Sequence, residues 1–231
     1  MFNNYSGPVR YAQETNLLYR VYAWMCLALA LTASTAYYVS MNPTFVHLIL
    51  TKPIILAVLF IFQLGLVIVL SMFLERMNMA TAVFLFMIYA LSMGVTLSSI
   101  FLVYTFASIV ATFVVASGMF GAMAIYGYFT KADLSSMGSF LFMALIGLIL
   151  GLFVNMFIKS ASFNYVLSGI GVIVFTLLTA YDVQKIKYMA QEMRADQQTM
   201  AKISIIGALT LYLDFVNLFL YLLQFMGRRK D

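Results

Sequence analysis

The sequence predicts an all-α polytopic membrane protein, a seven-helix bundle in which six helices surround a central C-terminal helix. Composition is the first reason, because 64% of the 231 residues are hydrophobic and only 9% are charged. Soluble domains average about 25% charged residues. The second reason is a series of apolar runs of about 17 to 24 residues, each long enough to cross a hydrocarbon core about 30 Å thick. The third is a polar stripe confined to one face of the last run.

Short polar breaks separate the apolar runs and set their bounds. The Asn42-Pro43 pair marks a turn after the first run, and Pro53 suits the first turn of the second helix. The third and fourth runs are so close in sequence that they are expected to form an antiparallel hairpin. The longest polar segment, residues 182–202, precedes the last helix. The predicted helices cover residues 17–39, 53–73, 80–103, 108–129, 138–158, 165–181 and 207–224.

We expect one membrane domain, residues 17–226, between a polar N-terminal tail of residues 1–16 and a basic C-terminal tail of residues 227–231. The N-terminal tail lacks an apolar core, so no cleavable signal peptide is predicted. If the N-terminus is cytoplasmic and the last helix crosses fully, inner segments carry eight Lys and Arg against five outside. This excess predicts a cytoplasmic N-terminus. If the last helix crosses only partly, the inner segments carry eleven Lys and Arg and the outer segments carry two. The side of the C-terminus therefore stays open.

Single cysteine and histidine residues predict neither a disulfide nor a metal cluster. Cys26 lies in an apolar run, and we expect it to be a small buried packing residue. His47 is predicted to lie in a loop, and one histidine is too few for a zinc site. Glycines of the later helices are expected to let neighbouring helices approach closely in lipid: Gly118, Gly121, Gly147, Gly151, Gly169 and Gly171.

The last helix carries its polar residues on one face. Spacings of three and four define this polar seam, which consists of Gly207, Thr210, Asp214, Asn217, Tyr221 and Gln224. An aspartate in the middle of a membrane helix costs roughly 2.5 to 3.5 kcal/mol on insertion scales. Asp214 must therefore face protein or trapped water, and we interpret it as functional because structural hydrogen bonding rarely needs an ionisable group. Asn217, Tyr221 and Gln224 are interpreted first as residues that join helices.

Asp182 is the second acidic candidate, and it is predicted to end the sixth helix in the string LTAYDVQKIK. The polar segment that follows allows the last two helices to be antiparallel neighbours with their carboxyl groups in contact. Two such groups in a low dielectric cannot both stay ionised cheaply, so they would share a proton. Alternatively, Asp182 is an interfacial carboxylate paired with Lys185 or Lys187, and the sequence leaves both interpretations open.

The strings LTAYDVQKIK and LTLYLDFVNLFLYLLQ resemble the two C-terminal signatures of the Bax inhibitor-1 (transmembrane Bax inhibitor motif) family, especially those of its bacterial inner-membrane members. The resemblance covers residues 22–225 and includes GLVIVLS, VTLSSIF and ASGMFGAMAIYGY. It implies seven helices, six of them packed in two layers around a central seventh, and an acid-sensitive calcium leak gated by two aspartates. Those aspartates correspond to Asp182 and Asp214. An arginine that locks the closed form corresponds to Arg76, although FLERMN differs from the family's basic run there.

We therefore expect a pH-sensitive leak for calcium or another cation in the bacterial inner membrane, with no enzymatic activity and no cofactor. The gating residues would be Asp182, Asp214 and Arg76. The aspartates would form only a weak transit site, because tight calcium binding needs six to eight oxygens. The expected partners are calcium, the lipid bilayer and other membrane proteins, not nucleic acid. Further oxygen ligands would come from the polar seam, namely Thr210, Asn217 and Tyr221.

Two other functions fit parts of the sequence. An intramembrane aspartyl protease would match Tyr181-Asp182, but its second acid follows a Gly-x-Gly string, and Asp214 follows Leu211-Tyr212-Leu213 instead. A regulatory membrane protein that binds others, such as quality-control proteases, could use the tails and the basic loop without any transport. A calcium flux measurement in liposomes separates this interpretation from the leak.

Overall fold

The computed structural model describes residues 8–52, 54–192 and 197–230. Within these residues the chain is almost entirely helical, and seven helical segments are long and apolar enough to cross a membrane. The predicted all-α class and the seven membrane helices are thus confirmed. The spans are Thr15–Met41, Ile54–Phe73, Met79–Val103, Phe106–Phe129, Ser135–Ile158, Ala161–Ala190 and Thr199–Met226.

The first helix, α1, runs over Pro8–Met41, so the second half of the expected N-terminal tail is helical. Its buried face repeats at helical spacing through Val21, Met25 and Ala28, which are 0%, 5% and 0% exposed. Cys26 follows Met25 directly and therefore points away from this face. It is exposed, so its prediction as a buried packing residue was wrong.

A short helix, α2 (Pro43–Thr51), occupies the region predicted as a turn and loop. Asn42 caps it, because its side-chain oxygen accepts a hydrogen bond of 3.1 Å from the Thr44 amide, and Pro43 takes the first turn. His47 therefore lies in a helix, and the loop prediction was wrong. An Asn-Pro pair can open a helix as well as a turn. Pro53 lies outside the described residues, and α3 covers Ile54–Phe73.

The third span is divided into α4 (Met79–Leu97) and α5 (Ile100–Val103), and a 3-10 turn, Leu74–Arg76, precedes it. Hydroxyl hydrogen bonds mark the division. Ser98 and Ser99 donate to the carbonyl oxygens of Val95 and Thr96 at 2.7 and 2.9 Å, so side chains engage helix carbonyls where the last turn tightens.

Four long helices complete the chain: α6 (Phe106–Phe129), α7 (Ser135–Ile158), α8 (Ala161–Glu192) and α9 (Gln197–Met226). The predicted end of the sixth helix at residue 181 was wrong. Val183, Ile186 and Ala190 continue the buried face at helical spacing, with exposed fractions of 0%, 4% and 1%. Lys185 and Tyr188 lie on the exposed face of this longer helix. Asp182 consequently lies inside α8 and not at its end.

The described residues form two compact units. One contains those up to Val103 together with Met189–Leu209, and the other contains Tyr104–Tyr188 and the described residues from Thr210 onward. In the first unit, Thr32 of α1 donates to the Ala90 carbonyl of α4 at 2.9 Å. Gln63 of α3 donates to the Thr96 hydroxyl of α4 at 2.8 Å. Neutral hydrogen bonds therefore join the helices of this unit.

In the second unit, the residues after α9 fold back onto the start of α6. The Thr105 amide donates to the Arg228 carbonyl at 3.1 Å, and the Arg228 amide donates to the Ser108 hydroxyl at 2.8 Å. The end of α9 and the start of α6 therefore lie at the same end of this unit. Of the seven spans, the last is the most buried: 67% of its membrane-spanning stretch is buried, compared with 11% in α3 and α7. The ring of six helices around it stays an expectation.

Only some of the predicted glycines mediate close helix contacts. A Cβ at Gly151 would meet the Leu167 side chain at 2.6 Å, and one at Gly171 would overlap the Tyr221 ring, whereas one at Gly169 would make only ordinary contact with Phe225 at 3.5 Å. At Gly118, Gly121 and Gly147, by contrast, a Cβ would meet no described atom within 4 Å. The prediction of close helix approach was wrong for these three, because spacing alone does not say which face of a helix meets a neighbour.

Candidate functional site

The polar seam of α9 packs against α8 in antiparallel register. The Ser168 hydroxyl donates to the Gln224 side-chain oxygen at 3.3 Å. The Tyr221 ring stacks on Phe175, with ring centres 5.6 Å apart. Residue numbers on α8 rise as those on α9 fall, so the two helices run in opposite directions, as predicted. Continuing this register brings Asp182 of α8 to Asp214 of α9.

The carboxyl groups of Asp182 and Asp214 lie within hydrogen-bonding reach of each other. Their residues are only 9% and 5% exposed. An ionised carboxylate only accepts hydrogen bonds, so this contact needs a proton on one of the two groups. We call the two residues the aspartate pair. Among the described residues, Oδ2 of Asp214 is buried and has no hydrogen-bond partner.

The two acids have different surroundings. The positive charge of Lys185, one turn further along α8, acts on Asp182, and its Nζ lies 5.9 Å from the centre of the Tyr181 ring. Next to Asp214, Phe215 packs edge-on against Phe113 and Phe120 of α6, each with ring centres 5.5 Å apart. Asp182 thus has a neighbouring cation, whereas Asp214 depends on its contact with Asp182.

Sequence reasoning missed Gln184, which lies two residues after Asp182 and is only 2% exposed. Its side-chain oxygen accepts from the Leu134 amide at 2.9 Å, and its amide group donates to the Ala132 carbonyl at 2.8 Å. The signal was present in the string LTAYDVQKIK, because a polar residue within a continuing amphipathic pattern must find partners when it is buried.

Two close glycine contacts also flank the aspartate pair and were not predicted. A Cβ at Gly127 of α6 would collide with the backbone of Ala180, and a Cβ at Gly138 of α7 would lie 2.7 Å from the Tyr181 hydroxyl. Both contacts involve residues directly before Asp182 on α8. They hold α6 and α7 close to the helix segment that carries this acid.

The other predicted site residues do not all join the pair. Arg76 lies in the first unit and its side chain is exposed, and the side chain of Glu75 lies outside the described residues. Asn217 donates to the Leu213 carbonyl of its own helix at 2.8 Å, so this bond does not join two helices. Thr210 is half-buried. In the part of the chain that the structure describes, no three His, Cys, Asp or Glu side chains gather as a metal site.

Comparison with known proteins places the chain among bacterial membrane proteins. A family model described as "Inhibitor of apoptosis-promoting Bax1" matches residues 14–231. The inner membrane protein YbhL of Escherichia coli K12 is 50% identical over 212 residues, 91% of each chain. An uncharacterized protein of Borreliella burgdorferi is 42% identical over 94% of both chains. Another, from Rickettsia prowazekii, is 46% identical over 92% of this chain and 89% of its own.

Proposed function

Because the chain belongs to the Bax inhibitor-1 family, as its resemblance implied, we propose that it is a pH-sensitive leak for calcium or another cation, gated by the aspartate pair. The seven apolar spans and the inner-membrane relative make it an integral inner-membrane protein. One observation carries the proposal. Two acids on adjacent membrane helices are buried in hydrogen-bond contact, and one carboxyl oxygen has no described partner.

The proton on the pair sets how tightly α8 and α9 hold together. With one proton, the two carboxyl groups share a hydrogen bond and the packed seam stays closed. Without it, two negative charges repel each other in a low dielectric and favour separation of the helices. Separation would expose carboxylate charge and seam oxygens to a cation, and oxygen ligands suit hard cations such as calcium.

The remaining roles belong to the same proposal. Two carboxylates offer too few oxygens for tight binding, so the pair acts as a weak transit site. Thr210, Asn217 and Tyr221 supply further oxygens when the seam opens, and Arg76 locks the closed form. We place the N-terminus in the cytoplasm because the inner segments carry an excess of basic residues. The proposed activity is transport without catalysis or a cofactor.

The test compares Asp182→Asn, Asp214→Asn and the double variant with the parent in liposomes loaded with a calcium dye. Each substitution keeps the size of the side chain and removes its titrating charge. Each single variant is expected to flatten the dependence of flux on pH between about 6 and 8, because it removes one of the two groups that can share a proton. The double variant should do no more, because residues that act as one unit are non-additive.

Thermal unfolding of each variant shows whether it still folds, so that a loss of the pH response can be distinguished from unfolding. Retention of a large dye shows that the liposomes are intact. If the parent passes no calcium at any pH in this range, the leak is wrong and the interpretation as a regulatory binding protein replaces it. If the parent conducts but the variants keep its pH profile, the sensor lies elsewhere in the chain.

A further inference from the structure

The connection between α6 and α7, residues 130–134, is fastened to α8 beside the aspartate pair. Gln184 makes this link with both ends of its amide group, since it accepts from the Leu134 amide and donates to the Ala132 carbonyl. Breaking the link would leave the buried Leu134 amide without its acceptor, which is costly in an apolar surrounding. The Gln184 side chain therefore links two segments that are about 50 residues apart in sequence.

Two more contacts lie on the same face of α8. One turn after Gln184, Lys187 donates to the Tyr128 carbonyl at 2.8 Å, and its Nζ lies 5.0 Å from the centre of the Tyr128 ring. One turn before it, Ala180 meets Gly127 so closely that a Cβ would not fit. Spacings of four and three put Ala180, Gln184 and Lys187 on one side of the helix.

Asp182 lies midway between Ala180 and Gln184 in sequence, and two residues correspond to about 200° around a helix. Asp182 therefore faces away from the side of α8 that carries Ala180, Gln184 and Lys187, which we call the fastened side. The same stretch of α8 is held by α6 and the connection on one side and meets Asp214 on the other. A displacement of α8 that separates the acids has to break the Gln184 bonds or move the connection with it.

We propose that the 130–134 connection holds α8 in the position that keeps the aspartate pair together, with Gln184 and Lys187 as positioning residues. The regulatory part of this inference rests on the function proposed above. Proton loss from the pair has to overcome these fastenings before the helices separate. Their strength thus sets how much of the protein is open at a given pH.

Several other charged groups lie around the segment of α8 that carries Gln184. Lys185 acts on Asp182 from the same helix, Lys187 is engaged with Tyr128, and Lys131 and Asp133 are exposed on the connection. The Ser135 amide donates to Asp133 at 2.9 Å, and this hydrogen bond lowers the pKa of that carboxyl. Asp133 stays ionised throughout about pH 6 to 8, so titration is left to the aspartate pair.

The experiment compares Gln184→Leu with Gln63→Leu. Both remove a buried glutamine amide from a membrane helix, but Gln63 bonds to Thr96 in the first unit. In liposomes loaded with a calcium dye, Gln184→Leu is expected to raise calcium flux about tenfold at the pH at which the parent conducts least. This corresponds to about 1.4 kcal/mol, the size expected for one or two hydrogen bonds. The ratio of maximal to minimal flux should fall by the same factor, and Gln63→Leu should leave it unchanged.

Amide hydrogen exchange gives a readout that does not depend on transport. Gln184→Leu should accelerate exchange at Leu134, whose amide loses its acceptor, and also around Asp182 in α8, whereas Gln63→Leu should change neither region. If the parent conducts calcium and Gln184→Leu accelerates exchange without changing the flux, the connection is purely structural and the regulatory inference is overturned. Unchanged exchange around Asp182 would show that the connection does not hold α8. If the parent conducts no calcium, the proposed function fails, and exchange alone decides whether Gln184 is a positioning residue.

Discussion

The two units bury different kinds of polar side chain. Among the residues that the structure describes, those buried in the first unit are all uncharged: Thr32, Gln63, Ser92, Ser98 and Ser204. The second unit buries neutral side chains as well, but it also buries both acids of the aspartate pair. The Gln63–Thr96 contact represents the first kind, and the Asp182–Asp214 contact represents the second.

The energetic contrast explains why the two contacts suit different tasks. A neutral hydrogen bond between membrane helices contributes on average about 0.6 kcal/mol, and its state does not change with pH. An aspartate in a membrane helix costs roughly 2.5 to 3.5 kcal/mol, and its state depends on protons and nearby charges. The first kind fixes a packing arrangement. The second kind makes an arrangement conditional, so perturbations of charge should change the dependence of flux on pH, whereas loss of a neutral hydrogen bond in the first unit should leave it unchanged.

A large effect on calcium flux is expected from Arg76→Ala. If Arg76 locks the closed form, its loss should raise basal calcium flux on the order of tenfold, or about 1.4 kcal/mol, near the lower bound for hydrogen bonds to charged groups. The matched control is Arg20→Ala, since Arg20 is also an exposed arginine of the first unit. We expect no change in flux for it. Equal flux from both variants and the parent would remove the latch from the proposal.

Gly127→Ala in α6 is expected to affect stability and to leave the charge of the aspartate pair unchanged. Its added methyl group meets the Ala180 backbone, which cannot give way as a flexible side chain could. Overpacking of this kind typically costs about 1 to 3 kcal/mol. Gly118→Ala in the same helix meets nothing described within 4 Å and should be neutral or stabilising, because alanine favours helices by about 1 kcal/mol over glycine.

Thermal unfolding in detergent and in lipid measures both glycine variants. A Gly127→Ala protein that unfolds at the same temperature as Gly118→Ala would mean that α6 and α8 can separate without cost. The aspartate pair would then be less firmly held than the contacts around Gln184 indicate. A large loss for Gly127→Ala alone would show that the fastened side of α8 is rigid.

These glycines show how far the sequence could go. Helical spacing put the polar seam on one face of the last helix, and the polar segment before it allowed this helix to lie antiparallel beside the preceding one, because spacing and connection length can be read from the sequence. Spacing could not distinguish Gly118, which faces open space, from Gly127, which faces Ala180, since that depends on which helix lies opposite. The apparent end of the helix at Asp182 had the same cause. Polar residues such as Gln184 looked interfacial until their partners in another segment were known.

The smallest effect is expected from Thr32→Val, which removes the neutral hydrogen bond to the Ala90 carbonyl and keeps the shape of the side chain. The Thr32 hydroxyl donates to the Ala90 carbonyl of α4 and is 3% exposed. Its loss should lower the free energy of unfolding by about 0.6 kcal/mol, because the Ala90 carbonyl remains within its own helix. The dependence of calcium flux on pH should not change, since neither partner titrates. An altered pH profile would show that neutral packing in the first unit also contributes to the switch. The contrast between a fixed and a conditional contact would then fail, and control of the leak would have to be shared between the two kinds of polar contact.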